Sequence, residues 1–308
     1  MPYWSADVGT NPASAMWQKA RQFQTDYARY GVTDNFIKVA LYKHHDWRSA
    51  TQNAAVVKHF AHAAALARYA GFKGIAIDLE PYTPTWGSSA DVGALDATVK
   101  QEGRAIAEAM HGAYPDMTLF VLPDVLSEIH HHQRNLMQRL ASTYHQLRTG
   151  ATASKEGYAL APAFLHGLLS VPWKHVVIGM EQTYSRNADG IAASVSPDYQ
   201  RYAAFLAQDG ESDAALSMAP GLWPLGPNSH SRAARETPER FAERLRVSMS
   251  LATRYVWIYG KGGTWWANAP TIAAPMAPNF PQFVAAIHAV RATCKRSGPI
   301  AAPRPDRH

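Results

Sequence analysis

The sequence of 308 residues has a single cysteine, Cys294, which excludes an internal disulfide bond. It also lacks any apolar run of the roughly 18 residues that a membrane-spanning helix needs, so no membrane span is predicted. Its opening, MPYWSADVGT, has neither the basic start nor the apolar stretch of a signal peptide. The compartment is therefore not predicted, and a secreted or periplasmic location is favoured only if a leader was removed from the native start.

Concentrated positive charge is lacking as well. The net charge is +6, but the basic residues are scattered, and the densest cluster is RATCKRSGP near the end of the chain. A nucleic-acid-binding protein usually concentrates its charge on one face. The composition therefore indicates a mildly basic surface and no nucleic-acid partner.

Motifs for metal ions and nucleotides are also lacking. The histidines of KHHDW have neither the H-x-H nor the H-E-x-x-H spacing of a metal site, and the adjacent histidines of IHHHQ (129–133) point in different directions around a predicted helix. The run GKGGT (260–264) lacks the spacing of a phosphate-binding loop, and no G-x-G-x-x-G follows a strand. The sequence predicts no metal and no cofactor.

Predicted strands and helices alternate along the chain. Hydrophobic residues make up 47% and charged residues 18%, which supports a large core and excludes global disorder. The strand-like segments are 35–44, 73–80, 117–124, 175–184, 214–223 and 255–260. The helical segments are 13–30, 53–71, 90–113, two within 127–171, 197–208, 237–254 and 279–294.

This alternation predicts an α/β fold with a parallel sheet. The expected architecture is a TIM-type (β/α)8 barrel whose first strand is missing or irregular, and an open sheet is the alternative. No repeat or linker divides the chain. We expect one catalytic domain over residues 1–296, a flexible Pro-rich tail over 297–308, and a monomer.

The strand in KGIAIDLEPY (73–82) places two carboxylates at its end. One face carries small and acidic side chains, and the other carries bulky aliphatic ones. The first face comprises Gly74, Ala76, Asp78 and Glu80, and the second comprises Ile75, Ile77 and Leu79. Barrel enzymes place their chemistry at the carboxyl ends of strands. Two nearby carboxylates can divide the roles of proton donor and ionised partner that glycosidic bond cleavage requires. A pair that caps the next loop or bridges to an arginine is the structural alternative.

This run resembles the fourth-strand signature of glycoside hydrolase family 18, the chitinases and related endoglycosidases, which reads roughly D-G-x-D-x-D-x-E. The matching residues are Gly74, Ile75, Ile77, Asp78 and Glu80, whereas Lys73 and Ala76 replace the two earlier aspartates. The resemblance implies a barrel in which Glu80 is the general acid. It also implies that Asp78 orients a substrate acetamido group, which acts as an internal nucleophile.

A third carboxylate, Glu181, follows a later strand, HVVIGMEQTYS (175–185). The resemblance implies that Gln182 and Tyr184 face inward, with Tyr184 near the reacting sugar. In a regular strand Glu181 lies on the opposite face from Tyr184 and shares a face with Gly179, whose small size favours the interior. An inward Glu181 would be the nucleophile or base opposite Glu80, and a bulge would bring Glu181 and Tyr184 in together. A salt-bridged glutamate at the strand's rim is the structural alternative.

Aromatic residues cluster near strand ends. In YVWIYGKGGTWW, Trp257 and Tyr259 share one face, and an aromatic floor suits the C–H face of a sugar. The resemblance implies a tryptophan under the scissile sugar, a role open to Trp257 or Trp265. Tyr82, Trp86 and Trp223 follow other strands, and nine tryptophans in one chain favour a polysaccharide groove.

Two further polar residues end predicted strands. Asp124 closes FVLPD, where it either contacts the substrate or caps the helix that begins near Ser127. His44 ends ALYKHHDW, and we expect it to line the same mouth.

Together these features predict an endo-acting glycoside hydrolase with Glu80 as general acid, assisted by Asp78 and Glu181. The alternatives are a chitinase-like sugar-binding protein without turnover and a barrel polysaccharide lyase or deacetylase. A bound metal would favour the deacetylase.

Overall fold

The computed structural model describes residues 7–40, 45–80, 84–87, 91–127, 158–207, 215–224, 236–259 and 280–297. The strands are β1 (Phe36–Ala40), β2 (Gly74–Asp78), β3 (Thr118–Leu122), β4 (His175–Met180), β5 (Ala215–Leu222) and β6 (Trp257–Ile258). The α-helices are α1 (Ala15–Ala28), α2 (Ala50–Ala70), α3 (Asp96–Ala113), α4 (Ala161–Leu168), α5 (Ala188–Ala207), α6 (Pro238–Leu251) and α7 (Phe280–Ser297). Single 3-10 turns span Pro84–Trp86 and Glu181–Ser185.

The strands form one sheet in the order β1-β2-β3-β4-β5-β6, with parallel neighbours. Lys38 of β1 lies beside Ala76 of β2, and Ala76 lies beside Phe120 of β3. The predicted α/β class, with a parallel sheet whose strands alternate with helices, is therefore confirmed. Six strands are present in the described ranges, and a closed barrel of eight is not seen within them.

The chain forms two compact units. The first comprises Met1–Ile178 and Arg201–Leu216, and the second comprises Gly179–Gln200 and Ser217–His308. The first unit holds β1, β2, β3 and most of β4. The second holds the end of β4, most of β5, and β6. None of the helices in the described ranges combines the length and the hydropathy that a bilayer crossing requires.

The aliphatic face of β2 lies in the core of the first unit. Ile75, Ile77 and Leu79 are completely buried, and α2 packs against β2. Helix α2 begins after Ser49, whose hydroxyl accepts a hydrogen bond from the Gln52 N–H. It presents an alanine-rich face to the core, consisting of Ala63, Ala64, Ala67 and Ala70.

Helices α3 and α4 of the first unit pack at close range through glycines. A Cβ atom added at Gly103 of α3 would overlap the Phe164 carbonyl oxygen of α4. A Cβ atom added at Gly167 of α4 would overlap the Lys100 carbonyl oxygen of α3. At each glycine the nearest atom is therefore a backbone atom of the opposite helix. A backbone atom cannot move aside as the end of a flexible side chain can.

We expect Gly103→Ala to lower the free energy of unfolding by about 3 kcal/mol, because the added methyl group forces the two helix backbones apart. Gly112→Ala, in the same helix, is the matched control, since a Cβ there meets nothing within 4 Å. It should leave stability unchanged or raise it by up to about 1 kcal/mol through helix propensity. Urea denaturation of both variants measures the difference, and equal stabilities would contradict the close packing.

Several predicted boundaries are wrong. Strand β4 ends at Met180 rather than 184, because the chain then turns into the 3-10 segment. Strand β6 covers only Trp257–Ile258 of the predicted 255–260. Helix α5 begins at Ala188, well before Pro197, because the Asn187 side chain accepts from the Gly190 N–H and starts the helix there.

Candidate active site

The carboxyl end of β2 holds Asp78 and Glu80 in the first unit. Asp78 is the last residue of the strand and is 2% exposed, whereas Glu80 lies just beyond it and is half-buried. The Glu80 backbone N–H donates to Asp78 Oδ1 at 3.0 Å. The Asp78 side chain therefore fixes the main chain at Glu80.

Lys38 of β1, which sequence reasoning missed, pairs with Asp78. Its Nζ lies 2.6 Å from Asp78 Oδ2. Lys38 lies beside Ala76 in the sheet register, and the small methyl group of Ala76 leaves room for the lysine stem to reach the next residue on the same face. A buried carboxylate is costly without a counter-charge, and the ammonium group supplies one. The one signal in the sequence is a lone lysine between Ile37 and Val39 of an otherwise apolar strand.

These contacts bear on the role of Asp78. One carboxylate oxygen meets the Lys38 ammonium group, and the other meets the backbone of Glu80. With 2% of its surface accessible, Asp78 offers almost nothing to a substrate, whereas Lys38 is 42% exposed. The arrangement favours Asp78 as a residue that positions Glu80 over one that touches a sugar ring.

The main chain before Glu80 is held on both sides. The Leu79 N–H donates to the Leu122 carbonyl oxygen at 2.5 Å, and the Trp86 indole N–H donates to the Leu79 carbonyl oxygen at 2.8 Å. The Glu80 side chain thus starts from a fixed backbone, which is what a catalytic group requires of its support.

Two predicted substrate-binding residues of the first unit are enclosed. Trp86 is fully buried and packs against Phe164, with ring centroids 5.1 Å apart. Asp124 is also fully buried, and its Oδ1 accepts from the Ser127 N–H at 3.0 Å. This hydrogen bond is the one expected if Asp124 caps the helix that begins near Ser127. The indole N–H of Trp86 and the carboxylate of Asp124 find their partners inside the fold, so neither residue is accessible to a polysaccharide in this structure.

A buried polar group follows β1 near the predicted mouth. His45 is 3% exposed, and its Nε2 is hydrogen-bonded to Asn53 Oδ1 at 2.8 Å. The Asn53 amide also donates to the Trp47 carbonyl oxygen at 3.0 Å. Burial raises the pKa of Glu102, and a hydrogen bond from Asn53 partly opposes this effect. The two hydrogen bonds of Asn53 hold His45 and Trp47 against α2.

In the second unit, a 3-10 turn (Glu181–Ser185) carries Glu181 and Tyr184. The alternation of faces in a strand therefore does not apply to them, and the prediction of opposite faces in a regular strand is wrong. Glu181 and Tyr184 are both half-buried. The Gln182 amide donates to Asp198 Oδ2 of α5 at 2.9 Å.

The side chain of Thr183 explains why the strand ends here. Its hydroxyl oxygen lies 2.7 Å from the Met180 carbonyl oxygen and 2.8 Å from the Gly221 carbonyl oxygen. The same oxygen accepts from the Gly221 N–H at 2.7 Å. These side-chain contacts compete with a regular ladder and hold the turn against the end of β5.

The residues Tyr184, Trp223, Trp257 and Tyr259 form an aromatic cluster in the second unit. The rings of Tyr184 and Tyr259 are stacked, with centroids 5.6 Å apart, and those of Trp257 and Tyr259 are stacked at 6.1 Å. Trp223 meets the edges of Tyr184 and Tyr259 at 5.9 and 5.2 Å. The Trp257 indole N–H donates to the Tyr184 hydroxyl. All four residues were predicted to bind substrate, and the structure brings them together.

We expect Gly221→Ala to disrupt this cluster. A Cβ atom at this position would lie 2.7 Å from Tyr184 Cε1, 2.9 Å from Trp257 Cδ1 and 2.7 Å from the Met180 carbonyl oxygen. The rings must separate, at a cost of about 1–3 kcal/mol in stability. Near-UV circular dichroism and thermal unfolding measure the effect, with Gly112→Ala as the control for an added methyl group. A wild-type spectrum and melting temperature for Gly221→Ala would contradict this packing.

Three predicted residues, Tyr82, Trp265 and His44, lie outside the described residues. Within the described ranges, no group of three or more histidine, cysteine, aspartate or glutamate side chains could hold a metal ion. Comparisons with protein-family models, curated proteins and solved structures found no match to this chain.

Proposed function

We propose that this protein is a glycoside hydrolase that cleaves a polysaccharide internally and that its fold is a (β/α)8 barrel. The observation that carries the proposal is the arrangement at the end of β2. A half-buried glutamate, Glu80, follows a buried carboxylate that is neutralised by Lys38 and bonded to the Glu80 backbone. In a parallel sheet, the carboxyl ends of strands are where barrel enzymes act.

In the proposed reaction Glu80 is the general acid. It donates its proton to the glycosidic oxygen as the bond to the anomeric carbon breaks, and the leaving sugar departs as an alcohol. The Asp78–Lys38 pair holds the Glu80 backbone so that its carboxyl group meets the oxygen in a reproducible geometry. Asp78 does not exchange protons with the substrate in this scheme.

Hydrolysis also needs a second carboxylate or a substituent of the substrate in its place, and Glu181 is the candidate carboxylate that the sequence predicts. As a nucleophile it would form a glycosyl-enzyme ester, which water then hydrolyses while Glu80 takes up the proton of that water. As a base it would instead remove a proton from water that attacks the opposite face of the sugar. The competing scheme uses a substrate acetamido group oriented by Asp78. The burial of Asp78 and its contacts with Lys38 count against that scheme, as does the alanine at position 76.

The aromatic cluster supports recognition of a sugar polymer. Aromatic rings present flat apolar faces that suit the C–H faces of pyranose rings, and the hydroxyls of Tyr184 and Tyr259 add polar contacts. The same cluster is the observation that favours the second candidate, a sugar-binding protein without turnover. Catalytic activity separates the two candidates.

The decisive experiment is a screen against a panel of soluble polysaccharides that includes N-acetylated, neutral and acidic polymers. Reducing ends and viscosity are followed together, because an endo-acting enzyme lowers viscosity early while few reducing ends appear. We expect at least one polymer to be cleaved. Binding to a polymer without any cleavage would overturn the hydrolase and favour the sugar-binding candidate, and neither binding nor cleavage on the whole panel would exclude both.

A further inference from the structure

A buried ion pair in the second unit lies against the turn that carries Glu181 and Tyr184. Arg244 of α6 and Glu236, just before that helix, pair through the Arg244 guanidinium group, and their side chains are 7% and 5% exposed. Burial lowers the pKa of Arg244 to about 10, which leaves its charge intact at neutral pH. An ion pair this deeply buried is costly unless further hydrogen bonds satisfy its donors.

Those further bonds go to the 3-10 turn. Arg244 Nη2 donates to the Thr183 carbonyl oxygen at 3.0 Å and to the Tyr184 carbonyl oxygen at 2.8 Å, while Nη1 meets Glu236. The Thr183 carbonyl oxygen also accepts from the Arg186 N–H at 3.1 Å. The carbonyl end of a helical turn carries partial negative charge, so a cation there is electrostatically favoured. The planar guanidinium fork reaches both oxygens and the carboxylate at once, which a lysine cannot do.

The turn is therefore held from two sides. The Thr183 side chain fixes it to Gly221 of β5, and Arg244 fixes its last carbonyl groups to α6. The Tyr184 side chain extends from this fixed backbone, and its hydroxyl accepts a hydrogen bond from the Trp257 indole N–H. A shift of the turn would move Tyr184 and Glu181 together.

We infer that Arg244, held by Glu236, is a positioning residue that keeps the turn Glu181–Ser185 in the geometry that places Tyr184 against Trp257 and aims Glu181 at the substrate. The part of this inference that concerns Glu181 and turnover rests on the proposed function. The part that concerns Tyr184 and Trp257 does not.

The test uses Arg244→Met and the double variant Arg244→Met/Glu236→Met. Arg246→Met is the matched control, because Arg246 is exposed on the same helix. The single variant leaves the Glu236 carboxylate buried without its guanidinium partner, so we expect the melting temperature to fall by roughly 5–10 °C. The double variant removes that charge and should recover at least half of the loss.

Two readouts separate positioning from stability. The first is the Trp257 indole N–H signal in protein labelled with 15N-tryptophan, assigned with Trp257→Phe. The Tyr184→Phe variant, which lacks the hydroxyl, gives the chemical shift of this N–H without its hydrogen bond. We expect the same chemical shift in the double variant, although its melting temperature has recovered. The second is kcat/KM on a polymer that the wild type cleaves, which should fall by about 100-fold in the double variant, the scale of a 1 Å misplacement. Arg246→Met should match the wild type in both.

A wild-type indole signal in the double variant would overturn the inference. A shifted signal with wild-type kcat/KM would overturn the role of Arg244 in turnover. If the wild type cleaves no polymer, the proposed function fails, and the indole signal alone decides whether Arg244 positions Tyr184. The two failures are therefore distinguishable.

Discussion

Glu80→Gln should lower kcat for polysaccharide hydrolysis by about 10³-fold, the typical contribution of a general acid. Glutamine has nearly the same shape but carries no proton that it can transfer to the glycosidic oxygen. The backbone bond to Asp78 uses the main-chain N–H of residue 80, so it survives the change. We therefore expect an unchanged melting temperature and unchanged affinity for an oligosaccharide, both of which calorimetry measures.

Glu239→Gln is the control for this variant, because Glu239 is exposed and lies in the first turn of α6. It should retain wild-type kcat. Asp78→Asn is the informative contrast, since it leaves Lys38 without a full counter-charge and should reduce stability as well as rate. A Glu80→Gln enzyme that keeps a tenth or more of wild-type kcat would remove Glu80 from the role of general acid.

Glu181→Gln should lower kcat by roughly 10²- to 10⁴-fold if Glu181 is the second carboxylate. The change removes the negative charge needed either to attack the anomeric carbon or to activate water. The loss should be seen on polymers with and without 2-acetamido groups, because this scheme makes no use of the substituent. Reducing-end assays on paired N-acetylated and deacetylated polymers measure it.

The anomeric configuration of the first product then separates the two uses of Glu181. Retention indicates a nucleophile, and inversion indicates a base acting through water; proton NMR of fresh product distinguishes them. A near-normal rate for Glu181→Gln, with activity confined to N-acetylated polymers, would restore substrate assistance and return Asp78 to a catalytic role.

Elements with strong local signals could be predicted from the sequence. The apolar alternation of residues 73–80 indicates β2, and the acidic side chains at its end identify Asp78 and Glu80 as candidates. The alanine-rich run before Gly71 indicates α2. In each case the signal lies within one segment, where strand or helix periodicity determines which side chains share a face.

Features that depend on distant partners could not be predicted in this way. The Lys38–Asp78 pair requires the register of two strands, and nothing near Asp78 in the sequence indicates it. The burial of Trp86 requires Leu79 and Phe164 to lie around it. The 3-10 turn at Glu181 results from contacts between Thr183 and Gly221, so a strand reading of the same residues fails.

The hydrogen bond between Asp78 and the main chain of residue 80 has a consequence for how this position can change. The bond uses a main-chain N–H group, which every amino acid except proline carries, so the bond itself does not depend on the identity of the side chain at position 80. Replacement of Glu80 by any residue except proline therefore keeps the main-chain bond to Asp78. In protein engineering, a nucleophile or another acid can therefore be placed at position 80 without loss of this main-chain bond.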